Sequence, residues 1–425
     1  MLSATPLPTL IQTVCSSLVI LALFAAALLR QPLCHQPGPP LSVIEALFLA
    51  LSALTANGLS IAEPASTLSP LGCQVVLVLT MVGGTSMMVM AAWIIEELLN
   101  DDADVTTDQV QRISRSRIAW RTTLLLFVLH LLGAALTFPM WREVEGVERV
   151  LLSQTLAVDA VYHAGFWFSY HSLEAYRYGW AMHAVVSPLI LISVLGYPVL
   201  RRVACALRHR ERLDGYARAA IGVTASIYVT GTLAIVSARI APYFYQSLKL
   251  GIASNMPHAG PLTFSAVSAT VADASLLTIS AQNVGLTTIS LEQLEPAAWL
   301  ALILLMVLAG MTPLAFAAVV SHTCRTLRGK SSLISETAIR CATAVLLWFA
   351  MLIAVGLFML CLFEPYPFRS LLTEVVAACT STSLTLGVTA EVTAFSKVIL
   401  MLLMIGGAYG TLLLASTIIN RRNSR

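Results

Sequence analysis

Eight stretches of this chain are long and apolar enough to cross a lipid bilayer: residues 9–29, 71–95, 118–138, 181–203, 219–241, 297–323, 338–363 and 396–418. A helix rises 1.5 Å per residue, so each reaches across a hydrocarbon core about 30 Å thick. This feature excludes a water-soluble globular fold. Only 11% of the residues are charged, against about 25% in soluble domains, so there is too little charge to cover a water-facing surface. The first run has no basic residue before it and exceeds the apolar core of a signal peptide, so it is read as a retained helix. Eight cysteines are scattered without a CxxC or Cys/His pairing, mostly inside apolar runs, where they serve as small packing residues. The net charge of +3 gives no case for a nucleic-acid partner.

Four shorter apolar stretches, 42–54, 150–161, 264–279 and 371–379, lie in alternate gaps between the long ones. They are too short to span and fit re-entrant segments that dip into the membrane and return. The rhythm is span, dip, span, four times over. Positive charge orients it: 17 of the 25 lysines and arginines follow the second, fourth, sixth and eighth spans, including the Arg201–Arg218 cluster. By the positive-inside tendency those segments are cytoplasmic, the dips enter from outside, and both termini lie in the cytoplasm of a multi-pass cell-membrane protein surrounded by lipid.

The dips repeat in letters as well as in hydropathy. The first reads EALFLALSALTANGLS from Glu45, and the third DASLLTISAQNVGLTT from Asp273. Each has an acid seven residues before a Ser-Ala pair, then a Gly-Leu at Gly58 or Gly285. The second, DAVYHAGFWF from Asp159, has Gly165-Phe166 at the same point, and the fourth, EVVAACTSTSLTLG from Glu374, has Ser383-Leu384. Non-helical backbone at membrane depth survives only where protein buries it or water fills a cavity beside it. A glycine after a short helix can take φ > 0 and turn carbonyls inward, and four such turns about one axis would make rings of oxygens able to bind an alkali cation. Secondary transporters also use broken helices and repeats, so the pattern alone leaves both readings open.

The letters resemble those of the Trk/Ktr/HKT superfamily of potassium and sodium transporters, and most closely its TrkH and KtrB-type membrane subunits, over residues 40–418. The resemblance rests on ALFLALSALTANGLS with LGCQVVLVLTMVGGTSMM, on AGFWF with VLGYPV, on SAQNVGLTTI, and on TEVVAACTSTSLTLGVTAEVTAFSKVILMLLMIGGAYGTLLLA. It implies an all-α polytopic fold of four M1–P–M2 repeats around one pore, at residues 8–100, 116–212, 216–330 and 335–425. It further implies eight transmembrane helices, four re-entrant pore loops, a homodimer, and a cytosolic nucleotide-binding regulatory subunit. Transported K⁺ or Na⁺ would meet Ala56, Asn57 and Gly58; His163, Ala164 and Gly165; Asn283, Val284 and Gly285; and Ser381, Thr382 and Ser383. No cofactor is implied beyond the transported ion.

Three positions depart from the pattern. Ser383 stands where a potassium-selective member has glycine. The third inner helix keeps Gly310 and Pro313 but lacks a Gly/Ser-rich gating loop, and Ala408 replaces a basic residue. These departures leave room for a pore-like structural or regulatory protein that no longer transports, while a secondary transporter of another solute is a third reading. Glu45, Asp273 and Glu374 sit near the outer ends of their dips, as helix caps or as pore-mouth acids, and Asp159 lies one turn before its filter, drawing cations or hydrogen-bonding a neighbour. His163 is expected to contribute its carbonyl. His130 and His183 lack metal-ligand partners, and no clustered Ser/His/Asp, HExxH or paired carboxylates suggest an enzyme.

Overall fold

The computed structural model describes residues 6–38, 40–61, 64–100, 114–168, 173–250, 264–282, 284–286, 289–310 and 336–423. These residues are almost wholly helical: α1 (Leu7–Leu29), α2 (Val43–Leu54), α3 (Pro64–Thr67), α4 (Pro70–Asn100), α5 (Arg115–Thr137), α6 (Gly146–Tyr162), α7 (Ser187–His209), α8 (Gly215–Leu250), α9 (Phe264–Ser280), α10 (Pro296–Gly310), α11 (Glu336–Phe363), α12 (Phe368–Thr380), α13 (Ala394–Ile405) and α14 (Thr411–Asn423). One-turn π segments, Met182–Val186 and Gly406–Gly410, lead into α7 and join α13 to α14. No strand forms among the described residues.

Seven helices among the described residues are long and apolar enough to cross a membrane. The expected eighth span, 297–323, is described only as α10, whose 15 residues are too few to cross; its remainder lies outside the described residues. The four expected dips are all helices, α2, α6, α9 and α12, set between long ones. Local chemistry fixes where several begin. The Ser42 hydroxyl accepts from the Glu45 N–H (3.3 Å) and the Glu45 carboxylate from the Ser42 N–H (2.8 Å), a reciprocal cap on α2. Pro70 and Pro296 open α4 and α10, where a missing N–H leaves no helical bond unmade.

Each of these four helices packs on the two that flank it in sequence: α2 on α1 and α4, α6 on α5 and α7, α9 on α8 and α10, α12 on α11 and α13. Each also packs on the helix that follows the previous one of the four: α6 on α4, α9 on α7, α12 on α10, and α2 on α13. The last contact joins the chain's end to its beginning and closes a ring. Within the ring backbones come very close: a Cβ on Gly407 would stand 1.8 Å from the Cys379 carbonyl oxygen at the end of α12, so only glycine fits. Outside it, Ile20, Leu23 and Phe24 of α1 and Leu347 and Phe358 of α11 stay exposed. Lipid solvates these side chains as well as a core does, so close packing of small residues, rather than apolar burial, must hold such helices together.

Candidate functional site

The four short helices end in similar ways. Ala56 (φ 47°), His163 (φ 60°) and Ser381 (φ 53°) each take the left-handed conformation just past a helix end, which costs a non-glycine residue about 1 kcal/mol or more. The turns are closed by backbone N–H groups that reach back to the last helical turn: Asn57 to Ser52, His163 to Asp159, Gly285 to Ser280 and Thr382 to Ala377. Two residues further on, Gly58 (φ 82°) and Gly165 (φ 69°) are left-handed again, and Gly285 (φ 67°) joins them. Ser383, at the matching place in the fourth segment, stays out of that region. A serine held left-handed there would cost about 1 kcal/mol or more, and the backbone of Ser383 avoids it by not taking a positive φ.

These segments meet at one point. A Cβ on Gly58 would lie 1.6 Å from the Ala164 carbonyl oxygen and 2.6 Å from Ser383 Cβ. On Gly165 it would lie 1.7 Å from Ser383 Oγ and 2.2 Å from the Val284 carbonyl oxygen, and on Gly285 1.8 Å from Ser383 Oγ. No side chain fits at the three glycines, and the carbonyls of Ala164 and Val284 are turned toward the same spot. The Ser383 side chain fills the middle, its hydroxyl donating to the Val284 carbonyl at 3.3 Å. Asn283 and Pro313 lie outside the described residues.

Polar side chains hold this arrangement from behind. The Asn57 amide donates to the carbonyls of Ala377 (3.1 Å) and Ala378 (3.0 Å), tying the first segment to the end of α12. The Tyr409 hydroxyl donates to the Leu54 carbonyl (2.6 Å), tying the last long helix to the end of α2. Ser193 of α7 donates to the Val161 carbonyl (2.6 Å), so its oxygen accepts from His163 Nε2 at 2.8 Å. The His163 ring is thus bound to α7. The four acids divide. Glu45 caps α2, and Asp273 pairs with Arg239 (3.9 Å). Asp159 and Glu374 are fully buried and turn back on their own loops. Asp159 accepts from the Phe166 N–H (3.1 Å); Glu374 accepts from the Leu386 N–H (3.1 Å) and from the hydroxyls of Thr385 and Thr389. Thr382 meets the Thr380 hydroxyl at 3.1 Å.

A cavity of about 230 Å³ opens at the C-terminal ends of the short helices, with Ala56, His163, Gln282 and Ser381 in its roof and Gly310 and Ala408 in its walls. That is room for several waters. On one side α7 is interrupted: Gly196 is non-helical (φ 68°, ψ 169°) and Pro198 follows. Further along, Arg202 is buried, with Nη1 donating to Glu96 Oε1 and to the Pro198 carbonyl (both 3.0 Å) and Nε 2.9 Å from Asp214 Oδ2. Arg201 reaches the other oxygen of Glu96 at 3.4 Å. The positive-inside pattern by itself makes these arginines topology anchors. The network they form has no signal in the sequence, because Glu96 lies 106 positions from Arg202 in the chain.

A ring of long apolar helices, with short helices ending at a narrow central point and a cavity beside it, is the architecture of a multi-pass membrane protein. The family model TrkH, described as a cation transport protein, matches residues 17–423, and the chain belongs to that family, which is one of transporters rather than enzymes. Ktr system potassium uptake protein D of Bacillus subtilis (strain 168) is 25% identical over 201 residues, a match covering 44% of each chain. This chain therefore spans less than half the length of that relative. The crystal structure of the potassium transporter TrkH from Vibrio parahaemolyticus shares the fold, with a TM-score of 0.66 and 16% identity over 94% of this chain and 84% of that one.

Proposed function

We propose that this chain passes K⁺ or Na⁺ across the cell membrane through the point where its four non-helical segments meet, each segment belonging to one of the four repeats outlined from the sequence. The observation that carries the reading is the meeting itself: Gly58, Gly165 and Gly285 close on Ser383, with the Ala164 and Val284 carbonyls turned inward. Carbonyl oxygens can replace the hydration shell of an alkali cation, and the four short helices aim their partly negative ends at the same place. Both relatives are named for potassium, which supports an alkali cation as the cargo. Ser383 narrows the passage, which favours the smaller Na⁺ over K⁺. The chain works as a homodimer with both termini in the cytoplasm, on a cytosolic nucleotide-binding regulatory subunit.

The test is cation flux into liposomes holding the purified protein, comparing K⁺, Rb⁺ and Na⁺. Flux of at least one of them, blocked when Gly58 or Gly285 is enlarged, supports conduction through this point. A second reading, a pore-shaped protein that serves only as a partner, is favoured by the serine side chain that fills the centre. It predicts no flux of any of the three, in the wild type or in Ser383→Gly, with lipid and a regulatory ring supplied.

A further inference from the structure

Asp159 stands apart from the other acids. It lies in the last turn of α6, its side chain fully buried, six residues before Gly165. The matching places six residues before Gly58 and Ser383 hold Ser52 and Ala377. Among the described residues, Asp159 is the one whose side chain accepts from an N–H next to a glycine at the meeting point, that of Phe166 at 3.1 Å. Glu374 holds its own loop three residues beyond Ser383 instead, at Leu386.

The Phe166 N–H and the Gly165 carbonyl belong to one peptide unit. In a trans peptide the two point in opposite directions, so an N–H drawn back toward α6 sends the Gly165 carbonyl away from α6 and toward the meeting point. Glycine places little steric restraint on that plane, and without an acceptor behind it the peptide can rotate and take the oxygen off the axis. We infer that Asp159 is a positioning residue that fixes the Gly165 carbonyl as an ion ligand and so helps set which cation is selected. The inference rests on the conduction reading above. What matters is the acceptor rather than the charge. Asp159 Oδ2 has no partner, so asparagine can keep the Oδ1 contact and place its amide nitrogen where no bond is lost.

The test compares wild type with Asp159→Ala, Asp159→Leu and Asp159→Asn in liposomes, reading the K⁺:Na⁺ flux ratio. Cation-dependent shifts in melting of the detergent-solubilised protein give a second measure of binding. The Ala and Leu variants are expected to move the ratio about fivefold toward unity, the factor set by one hydrogen bond of about 1 kcal/mol at 1.4 kcal/mol per tenfold. The Asn variant is expected to stay near the wild-type ratio. An unchanged ratio in Ala or Leu, whatever the total flux, overturns the inference, because loss of folded protein scales all cations alike. An Asn ratio that moves as far as Ala also overturns it, by making charge the agent. If neither Ala nor Leu folds, Asp159 serves the fold and the inference falls. If wild type shows neither flux nor a cation-dependent melting shift, the conduction reading itself fails; conducting wild type with an unmoved ratio in the variants removes only this inference.

Discussion

Replacing Ser383 with glycine is the sharpest perturbation of the meeting point. The substitution removes Oγ, the atom nearest the places where Cβ atoms on Gly165 and Gly285 would lie, and Cβ, which stands 2.6 Å from the place of one on Gly58. It also removes the hydroxyl's 3.3 Å bond to the Val284 carbonyl. That bond is at the long end of the range and contributes about 0.5–1 kcal/mol net. The added backbone freedom of glycine costs a further 0.5–1 kcal/mol or so. The fold therefore loses about 1–2 kcal/mol, small enough to leave a folded protein whose melting falls by a few degrees. For an ion the balance is opposite. The Val284 oxygen becomes free to coordinate without first breaking the serine bond, and about 1 kcal/mol off the barrier is about fivefold in rate. Removing the side chain from the centre adds to that, and adds more for a larger ion. Rb⁺ uptake into liposomes is therefore expected to rise about fivefold or more, with Na⁺ gaining less, so that the K⁺:Na⁺ ratio increases. Folded variant whose Rb⁺ uptake is unchanged, or whose Na⁺ uptake gains more than Rb⁺, would refute the reasoning.

Four further variants test other contacts. Gly58→Ala would put a methyl 1.6 Å from the Ala164 carbonyl oxygen at a backbone φ of 82°, so cation flux is expected to vanish even where the protein is still recovered; size-exclusion profile and flux measured together decide it. Tyr409→Phe removes the 2.6 Å donor to the buried Leu54 carbonyl and is expected to cost about 1–3 kcal/mol, the range for leaving a buried group unsatisfied, read as a lower melting temperature. Arg202→Met takes from Asp214 its arginine and from Glu96 one of two in a largely buried network, and is expected to cost about 3 kcal/mol, the low end for a broken buried pair because Arg201 still holds Glu96. Arg115→Met, which breaks a more exposed 3.6 Å pair with Glu97, should cost about 1 kcal/mol or less; equal losses in the two arginine variants would contradict the burial argument.

The architecture was legible because membrane depth is written in run length. A helix that crosses needs about 20 apolar residues and a dip needs fewer, so Val43–Leu54 and Phe368–Thr380 could be separated from the spans by counting. The turning points were legible where glycine stands, at Gly58, Gly165 and Gly285, since a positive φ leaves a compositional trace. Contacts between distant parts of the chain leave no such trace. Asn57 to Ala377, Tyr409 to Leu54 and Arg202 to Glu96 link residues more than 100 positions apart, and nothing in the spacing of either partner announces the other. The acids show the same limit. Glu45, Asp159, Asp273 and Glu374 look alike in the sequence because each belongs to a dip, yet the fold makes one a helix cap, one an ion-pair partner and two buried braces.

The inequality of the four segments has a mechanistic consequence of its own. In a ring built from identical subunits, a serine in place of a glycine would enter four times, and four side chains could not share the centre that one already fills. A single chain can vary one segment at a time. Here the fourth gives up its left-handed turn at Ser383 while the other three keep theirs, and the second gains a buried carboxylate behind its loop that the matching places of the first and fourth lack. The two changes act on different sides of one structure, Ser383 from the axis and Asp159 from behind the wall. Their hydrogen bonds go to different groups, the Val284 carbonyl and the Phe166 N–H, but both border Gly165: with Ser383→Gly in place, Asp159→Ala should still move the ratio in the same direction, and any departure from the single-variant factor measures their coupling. A double variant whose ratio equals that of Ser383→Gly alone would mean that the Gly165 carbonyl ligates no ion once the centre is open.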